Sequence, residues 1–221
     1  MAGMRNIRMK NLGHHQVGSL IYPRLAAPGR TDAEGIRLAL QINSHVSSPL
    51  VFTGIFSADE CQRIMRLSDP RQQRAGTMMY AMPNIRKSTI TWIDVQADSE
   101  WLYEKVWDTF QAVNRWFKFD LFGLVDEIQF AKYGVGDGFG WHLDAGAGQT
   151  STRKLSMSVQ LCGEDEYAGG DLELCACPEL DSRRRRGTII VFPSFLAHRV
   201  TPVTQGTRYS LVAWAHGPPF K

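Results

Sequence analysis

A mainly-β fold with a helical layer at its N-terminal side, α+β overall, is what three features of the sequence predict. From Lys154 to Cys162, Leu155, Met157, Val159 and Leu161 alternate with Ser156, Ser158 and Gln160, the period of a strand with two distinct faces. Between about residues 124 and 215, some seven short strand-like segments follow one another with turn signals and no helix between them. Ahead of them lie two segments with helical spacing. Many short strands in one chain segment read as a sandwich or jelly roll.

Residues 1–48 show weak periodicity and are read as an arm or lid, with a short helical stretch near Thr31–Leu40. Residues 49–221 form a single domain on this reading. Leu50–Ile55 reads as a strand. Ser57-Ala-Asp-Glu60 is a capping box that opens a helix over 57–67, and Asp69-Pro70 ends it. Residues 71–88 are polar and irregular, and Ser88–Val95 reads as a strand. Asp98-Ser99 caps a helix over 99–117, whose Leu102, Val106, Trp107, Phe110, Val113 and Phe117 form an apolar stripe for the core. The core, about 124–215, begins with a strand at Val125–Tyr133 and the loop Gly134–Gly138. Further strands are expected at Lys154–Cys162, from Gly169-Gly170 with Leu172, Leu174 and Ala176 on one face, at Gly187–Phe192, at Ala197–Thr201, and at Arg208–Trp214 after a turn at Gln205-Gly206.

Composition excludes several classes. With 43% hydrophobic and 21% charged residues in 221, the chain is neither disordered nor fibrous. No apolar run reaches the ~18 residues of a membrane span, and the start lacks the apolar stretch of a signal peptide. Four cysteines without a CxxC pair suit a reduced, cytoplasmic compartment rather than a disulfide scaffold or zinc site. A net charge of +3 does not call for nucleic acid. The run Arg183–Arg186 reads as a solvated hairpin tip.

The chemistry centres on Trp141-His142-Leu143-Asp144. In an extended segment, residues two apart point to one side, so His142 and Asp144 can present an imidazole and a carboxylate to one ion. His198 lies on a β-segment 54 residues beyond Asp144, whereas His216 reads as part of a Gly/Pro-rich tail. His142, Asp144 and His198 make a two-histidine, one-carboxylate facial triad, which leaves three octahedral positions open, as a non-haem Fe(II) site requires. Arg208, ten residues past His198, suits a carboxylate by its bidentate fork, and Tyr133 can add a hydrogen bond.

Five motifs in order carry a resemblance. They are Tyr133-x2-Gly136-x5-His142-x-Asp144, Tyr167-Ala-Gly-Gly-Asp-Leu172, Gly187-Thr-Ile-Ile-Val-Phe-Pro193, His198-Arg-Val-Thr-Pro-Val203 and Gly206-Thr-Arg-Tyr-Ser210. The sequence resembles the 2-oxoglutarate and Fe(II)-dependent oxygenases, in their prolyl 4-hydroxylase-like branch with the PKHD-type hydroxylases. That resemblance implies a double-stranded β-helix, iron at His142, Asp144 and His198, and 2-oxoglutarate held by Arg208 and Tyr133. Ser210 is either a further contact to 2-oxoglutarate or an ordinary strand hydroxyl. Arg86-Lys-Ser88 resembles an Arg-x-Ser segment beside the substrate pocket, and Arg86 is expected to meet an anionic group of the substrate. Trp141 is either a wall of that pocket or a packed aromatic.

The implied activity is hydroxylation of an unactivated C–H bond in a small molecule, such as an amino acid or biosynthetic intermediate, or in a protein side chain. Fe(II), 2-oxoglutarate and O2 are the implied cofactors, with ascorbate as a stimulant, and succinate and CO2 the co-products. Asp144 favours hydroxylation over halogenation, which needs a small residue there. Two alternatives stand beside this reading: an AlkB-like oxidative demethylase of nucleic acid, and a non-catalytic cupin-like metal-binding protein. The first would need a nucleotide lid that nothing upstream resembles, and the second would have no use for the full triad with Arg208. Membrane and nucleic acid are not expected as partners.

Overall fold

The computed structural model describes residues 46–68, 73–75, 85–175 and 184–220. The expected arm over 1–48 lies outside them except for residues 46–48, as do Ala176, Cys177 and Arg183.

Helix α1 (Ala58–Ser68) starts where the capping box places it. The Ser57 N–H donates to Glu60 Oε2 at 2.7 Å and the Glu60 N–H donates to Ser57 Oγ at 3.1 Å, which satisfies two of the helix's orphan donors. Helix α2 (Glu100–Phe117) ends at Lys118, whose φ of 57° places it in the left-handed region. Ser99 occupies the N-cap of α2, but its hydroxyl does not cap. It donates to Asp94 O at 2.7 Å and accepts from the Gln96 N–H at 2.8 Å, holding the turn that precedes the helix. Lys105 of α2 reaches Glu60 of α1 at 2.5 Å and ties the helices together.

Among the described residues there are twelve antiparallel strands: β1 (Leu50–Phe52), β2 (Gln73–Ala75), β3 (Arg86–Ile93), β4 (Ile128–Tyr133), β5 (Gly138–His142), β6 (Arg153–Gln160), β7 (Tyr167–Gly169), β8 (Leu172–Leu174), β9 (Ile189–Pro193), β10 (His198–Val200), β11 (Val203–Gly206) and β12 (Arg208–His216). They form one curled sheet in the order β1-β9-β6-β12-β4-β3-β5-β10-β8, with β2 beside β3, and a separate pair β11-β7. Strand β3 makes the fold close. It pairs with β4 along Thr89–Ile93 and with β5 at Arg86–Lys87, so the sheet turns there into a second layer, β5-β10-β8. This is a jelly roll, with nine strands between residues 128 and 216 among those described. No helix of the described residues is long and apolar enough to cross a membrane.

Alternation then sorts the side chains. Leu155, Met157 and Val159 of β6 join Leu211 and Ala213 of β12 in a core closed by Leu102, Val106, Phe110, Val113 and Phe117 of α2. Ser156, Ser158 and Gln160 take the other face and are buried as well, because the second layer covers them. The stripe expected to be core is core.

The structure departs from the sequence expectations at several places. The first strand stops at Phe52, since Gly54 turns the chain with φ of 73°. Residues 73–75 lie within the stretch read as irregular, yet they pair with β3. Gly169-Gly170 does not start a strand. It is the corner between β7 and β8, with φ of 68° and 62°, and a Cβ at Gly169 would lie 2.3 Å from Pro202 O. Gln205-Gly206 belongs to β11. His216 is the last residue of β12 and fully buried, not part of a tail. Of the arginine run, Arg185 is exposed, whereas Arg184 and Arg186 are partly buried and tied down. Arg184 donates to Tyr167 O at 2.9 Å and Gly169 O at 3.0 Å, and Arg186 pairs with Glu166, so the two clip the β7 turn in place.

Candidate active site

Strands β5 and β10 set two of the three expected metal ligands face to face. His142 ends β5 and His198 begins β10, and the two are register partners. The pairing then shifts, so that Val200 sits opposite Phe139, which puts Phe139 and His142 on one side of β5. The Phe139 ring stacks on the His142 imidazole at 3.5 Å, and Phe192 meets His198 edge-on at 4.7 Å. These rings make a dry wall around the two imidazoles, whose side chains are 8% and 7% exposed.

Each imidazole is fixed through its Nδ1. His142 Nδ1 lies 2.9 Å from Gly140 O, and His198 Nδ1 lies 2.9 Å from Leu196 O. A carbonyl only accepts, so each Nδ1 carries a proton, and the Nε2 of a neutral imidazole then keeps a lone pair. Both Nε2 atoms point at Asp144: His142 Nε2 is 3.7 Å from Oδ1 and His198 Nε2 is 3.5 Å from Oδ2. One ligand atom from each residue lies within 4.8 Å of the others. Burial, foremost, pushes the His142 imidazole down to about 4, with His198 acting in the same direction, so it is neutral at ordinary pH. Burial alone would raise the Asp144 carboxyl; the facing imidazoles and the Ser156 hydroxyl outweigh it and hold the group below the usual carboxylate range.

Asp144 shares a side with His142 because of a bend after β5, not because the strand continues. The N–H groups of Asp144 and Ala145 both donate to Ser194 O, at 3.0 and 2.9 Å. The Ser156 hydroxyl donates to Asp144 Oδ2 at 2.6 Å. Arg153 Nη1 reaches Asp144 O at 3.4 Å.

Arg208 opens β12 opposite Tyr133 of β4. Arg208, Ser210, Val212 and Trp214 alternate along one face of β12, and Ser210 and Trp214 are register partners of Gln160 and Ser156. Arg208 therefore shares the inner face of the sheet with the serine that holds Asp144. Its guanidinium is 3% exposed, donates to Ser210 Oγ at 3.0 Å and lies 5.4 Å from the Tyr133 ring. Among the described residues no carboxylate pairs with it. A buried cation without a counter-ion is costly, so this position suits an anionic partner.

Arg86 stands at the edge of this space. Its Nε donates to Ser88 Oγ at 2.8 Å, its Nη2 donates to Gln129 Oε1 at 2.7 Å, and its guanidinium lies 4.8 Å from the centre of the Phe139 ring. It thus sits one ring away from His142. Trp141 is not brought to the triad. Its ring is 47% exposed and lies 5.0 Å from the Arg199 guanidinium.

A second buried cluster escaped the sequence reading. Arg153 Nε donates to Asp126 Oδ2 at 2.7 Å, His216 Nε2 is 3.0 Å from the same oxygen, and His216 Nδ1 is 2.9 Å from Thr152 Oγ1. Burial opposes ionisation of Asp126, and the bonds from His216 and Arg153 outweigh it and lower its pKa. Ser156 and Ser194 were also missed as parts of the site. The only sequence signal for Ser156 is its place on the polar face of the β6 alternation.

Two imidazole nitrogens and one carboxylate oxygen around an open centre are the donor set of a non-haem Fe(II) oxygenase. Residues 128–216 match the model of the 2OG-Fe(II) oxygenase superfamily. It is similar to the PKHD-type hydroxylase of Synechococcus sp. (strain CC9605), 34% identical over 99 residues that cover 43% of this chain and 44% of the relative. It is also similar to the PKHD-type hydroxylase of Synechococcus elongatus, 37% identical over 95 residues, covering 41% and 43%. The chain thus spans less than half the length of these relatives. In fold it resembles a Pseudomonas putida prolyl-4-hydroxylase, with a TM-score of 0.61, 23% identity and coverage of 78% and 94%. A prolyl hydroxylase of Trichoplax adhaerens, solved with a hypoxia inducible factor peptide fragment, gives 0.61 and 15%, covering 83% and 90%.

Proposed function

We propose that this chain is an Fe(II)- and 2-oxoglutarate-dependent hydroxylase, with iron held by His142, Asp144 and His198. The observation that carries the reading is the convergence of two Nε2 atoms and a carboxylate on β5, β10 and the bend after β5, together with a buried arginine on β12 that meets no carboxylate among the described residues. When bound, the iron supplies the oxidation: O2 is split, 2-oxoglutarate becomes succinate and CO2, and one oxygen atom ends in the substrate's new C–O–H group. The chain's own residues do the rest. The two Nδ1–H bonds aim the imidazoles, and Arg208, with Ser210 and Tyr133, holds the far carboxylate of 2-oxoglutarate. Phe139 and Phe192 keep water from the ligands. Residues 49–221 are the oxygenase domain on this reading, and 1–48 an arm to it.

The substrate is a small molecule or a protein side chain that carries a carboxylate or comparable anion near Arg86. What supports this is the geometry of Arg86, whose guanidinium is fixed by Ser88 and Gln129 one ring away from His142. The test is succinate release from Fe(II)-loaded protein over a panel of amino acids, acidic peptides and modified bases. Substrate-dependent turnover with an anionic compound is expected. No 2-oxoglutarate turnover with any compound and with iron loaded would overturn the enzymatic reading, and turnover with modified bases alone would favour the demethylase.

A further inference from the structure

Asp144 is held by more than its place in the chain. Ser156, 1% exposed, gives its hydroxyl to Oδ2 at 2.6 Å, and Ser194, fully buried, places its own hydroxyl 3.0 Å from Ser156 Oγ. The direction of this chain of bonds is fixed. A carboxylate only accepts, so the single Ser156 proton goes to Asp144. Ser156 Oγ must then accept the Ser194 proton. Ser194 acts twice, since its backbone oxygen also takes the N–H groups of Asp144 and Ala145. The Ser194 N–H donates to Lys154 O at 2.9 Å, which anchors the pair to β6.

We propose that Ser156, oriented by Ser194, is a positioning residue that engages Asp144 Oδ2 and so makes Asp144 a one-oxygen ligand of the metal. The inference rests on the triad being the metal site. A carboxylate free to turn could bind through both oxygens and take one of the positions that 2-oxoglutarate and O2 need. Hydrogen bonds from outside the ligand set typically change metal affinity by about 10–100-fold when removed.

The experiment measures Mn(II) affinity anaerobically by isothermal titration for the full chain and for Ser156→Ala, Ser194→Ala, the double variant and His198→Ala, with folding of each metal-free protein checked by circular dichroism. Ser156→Ala should bind Mn(II) about 10–100-fold more weakly. Ser194→Ala, which keeps the backbone carbonyl and loses only the hydroxyl, should lose less. Adding Ser194→Ala to Ser156→Ala should cost nothing more, because the second hydroxyl acts through the first. Additive losses would overturn the relay, and wild-type affinity in both single variants would overturn the proposal. If Ser156→Ala fails to fold, Ser194→Ala decides alone: weaker binding supports the relay and wild-type binding overturns it. His198→Ala separates the two levels. If it too binds normally, the triad assignment has failed; if it alone loses Mn(II), the triad stands and the serine relay does not.

Discussion

The two faces of β6 are built from alternate residues of one strand and do different work. Toward α2, Leu155, Met157 and Val159 join a large apolar cluster with Phe110, Phe117 and Leu102. Toward the second layer, Ser156 binds Asp144, and Ser158 and Gln160 continue a buried polar face beside Ser210 and Arg208. The first face gains from burying apolar area and has no unmet polar group to serve. The second face buries polar groups, and its charged Arg208 is left without a carboxylate among the described residues, which costs stability and suits ligands. A strand with period two can therefore separate the free energy that folds the chain from the groups that bind.

If the faces are separable, substitutions on each should have different readouts. Phe110→Ala, on the apolar face, should lower stability by ~3–5 kcal/mol, or about 6–20 °C in melting temperature for a chain of this size. Its remaining folded fraction should bind 2-oxoglutarate normally; equal damage to binding would mean that the faces are coupled. Arg208→Ala, on the polar face, should raise the 2-oxoglutarate requirement by two to three decades, about 3–5 kcal/mol, while leaving the melting temperature of the metal-free protein unchanged or higher. Arg208→Lys should recover part of the affinity, since it keeps the charge and loses the fork. A melting temperature that falls sharply in Arg208→Ala would show that the arginine has a structural partner. Arg86→Ala should weaken substrate-stimulated turnover tenfold or more, about 1.4 kcal/mol per decade, with uncoupled 2-oxoglutarate decay near wild type. Loss of neither activity would remove Arg86 from the pocket.

The Asp126 cluster sharpens the comparison through pH. Asp126 has a folded pKa below its ordinary value, so its stabilisation is fully present above about pH 4 and fades as pH falls through the folded value. Asp126→Asn should be less stable than wild type near neutrality, and the gap should close below about pH 4. Urea midpoints at a series of pH values read this directly, and a gap independent of pH would mean that the charge of Asp126 contributes nothing.

Much of this arrangement was legible in the chain because its causes are local. The β6 alternation announces both faces, and the Ser57–Glu60 capping box places α1 within a residue. His142, Asp144 and His198 stand out by residue type and spacing, whereas the register that pairs His142 with His198 is seen only in the fold. Other features depend on contacts far apart in sequence. Strand β5 is short and carries two glycines, Gly138 and Gly140, so only its partners β3 and β10 define it. His216 looks like tail because Gly217, Pro218 and Pro219 follow it, but its imidazole is buried by Asp126 and Thr152. The arginine run reads as solvated because nothing local shows Glu166 and the carbonyls of β7 arriving against Arg184 and Arg186. Trp141 lies on the outward side because the β5 register shift turns His142 and Phe139 the other way.

The central claim is that His142, Asp144 and His198 hold one iron without holding the fold. Anaerobic Fe(II) titration of wild type and His198→Ala, with melting curves of both metal-free proteins, tests it most directly. Wild type should bind one Fe(II) per chain, and His198→Ala should lose that binding at a melting temperature close to wild type. Stoichiometric Fe(II) binding by folded His198→Ala would contradict the account.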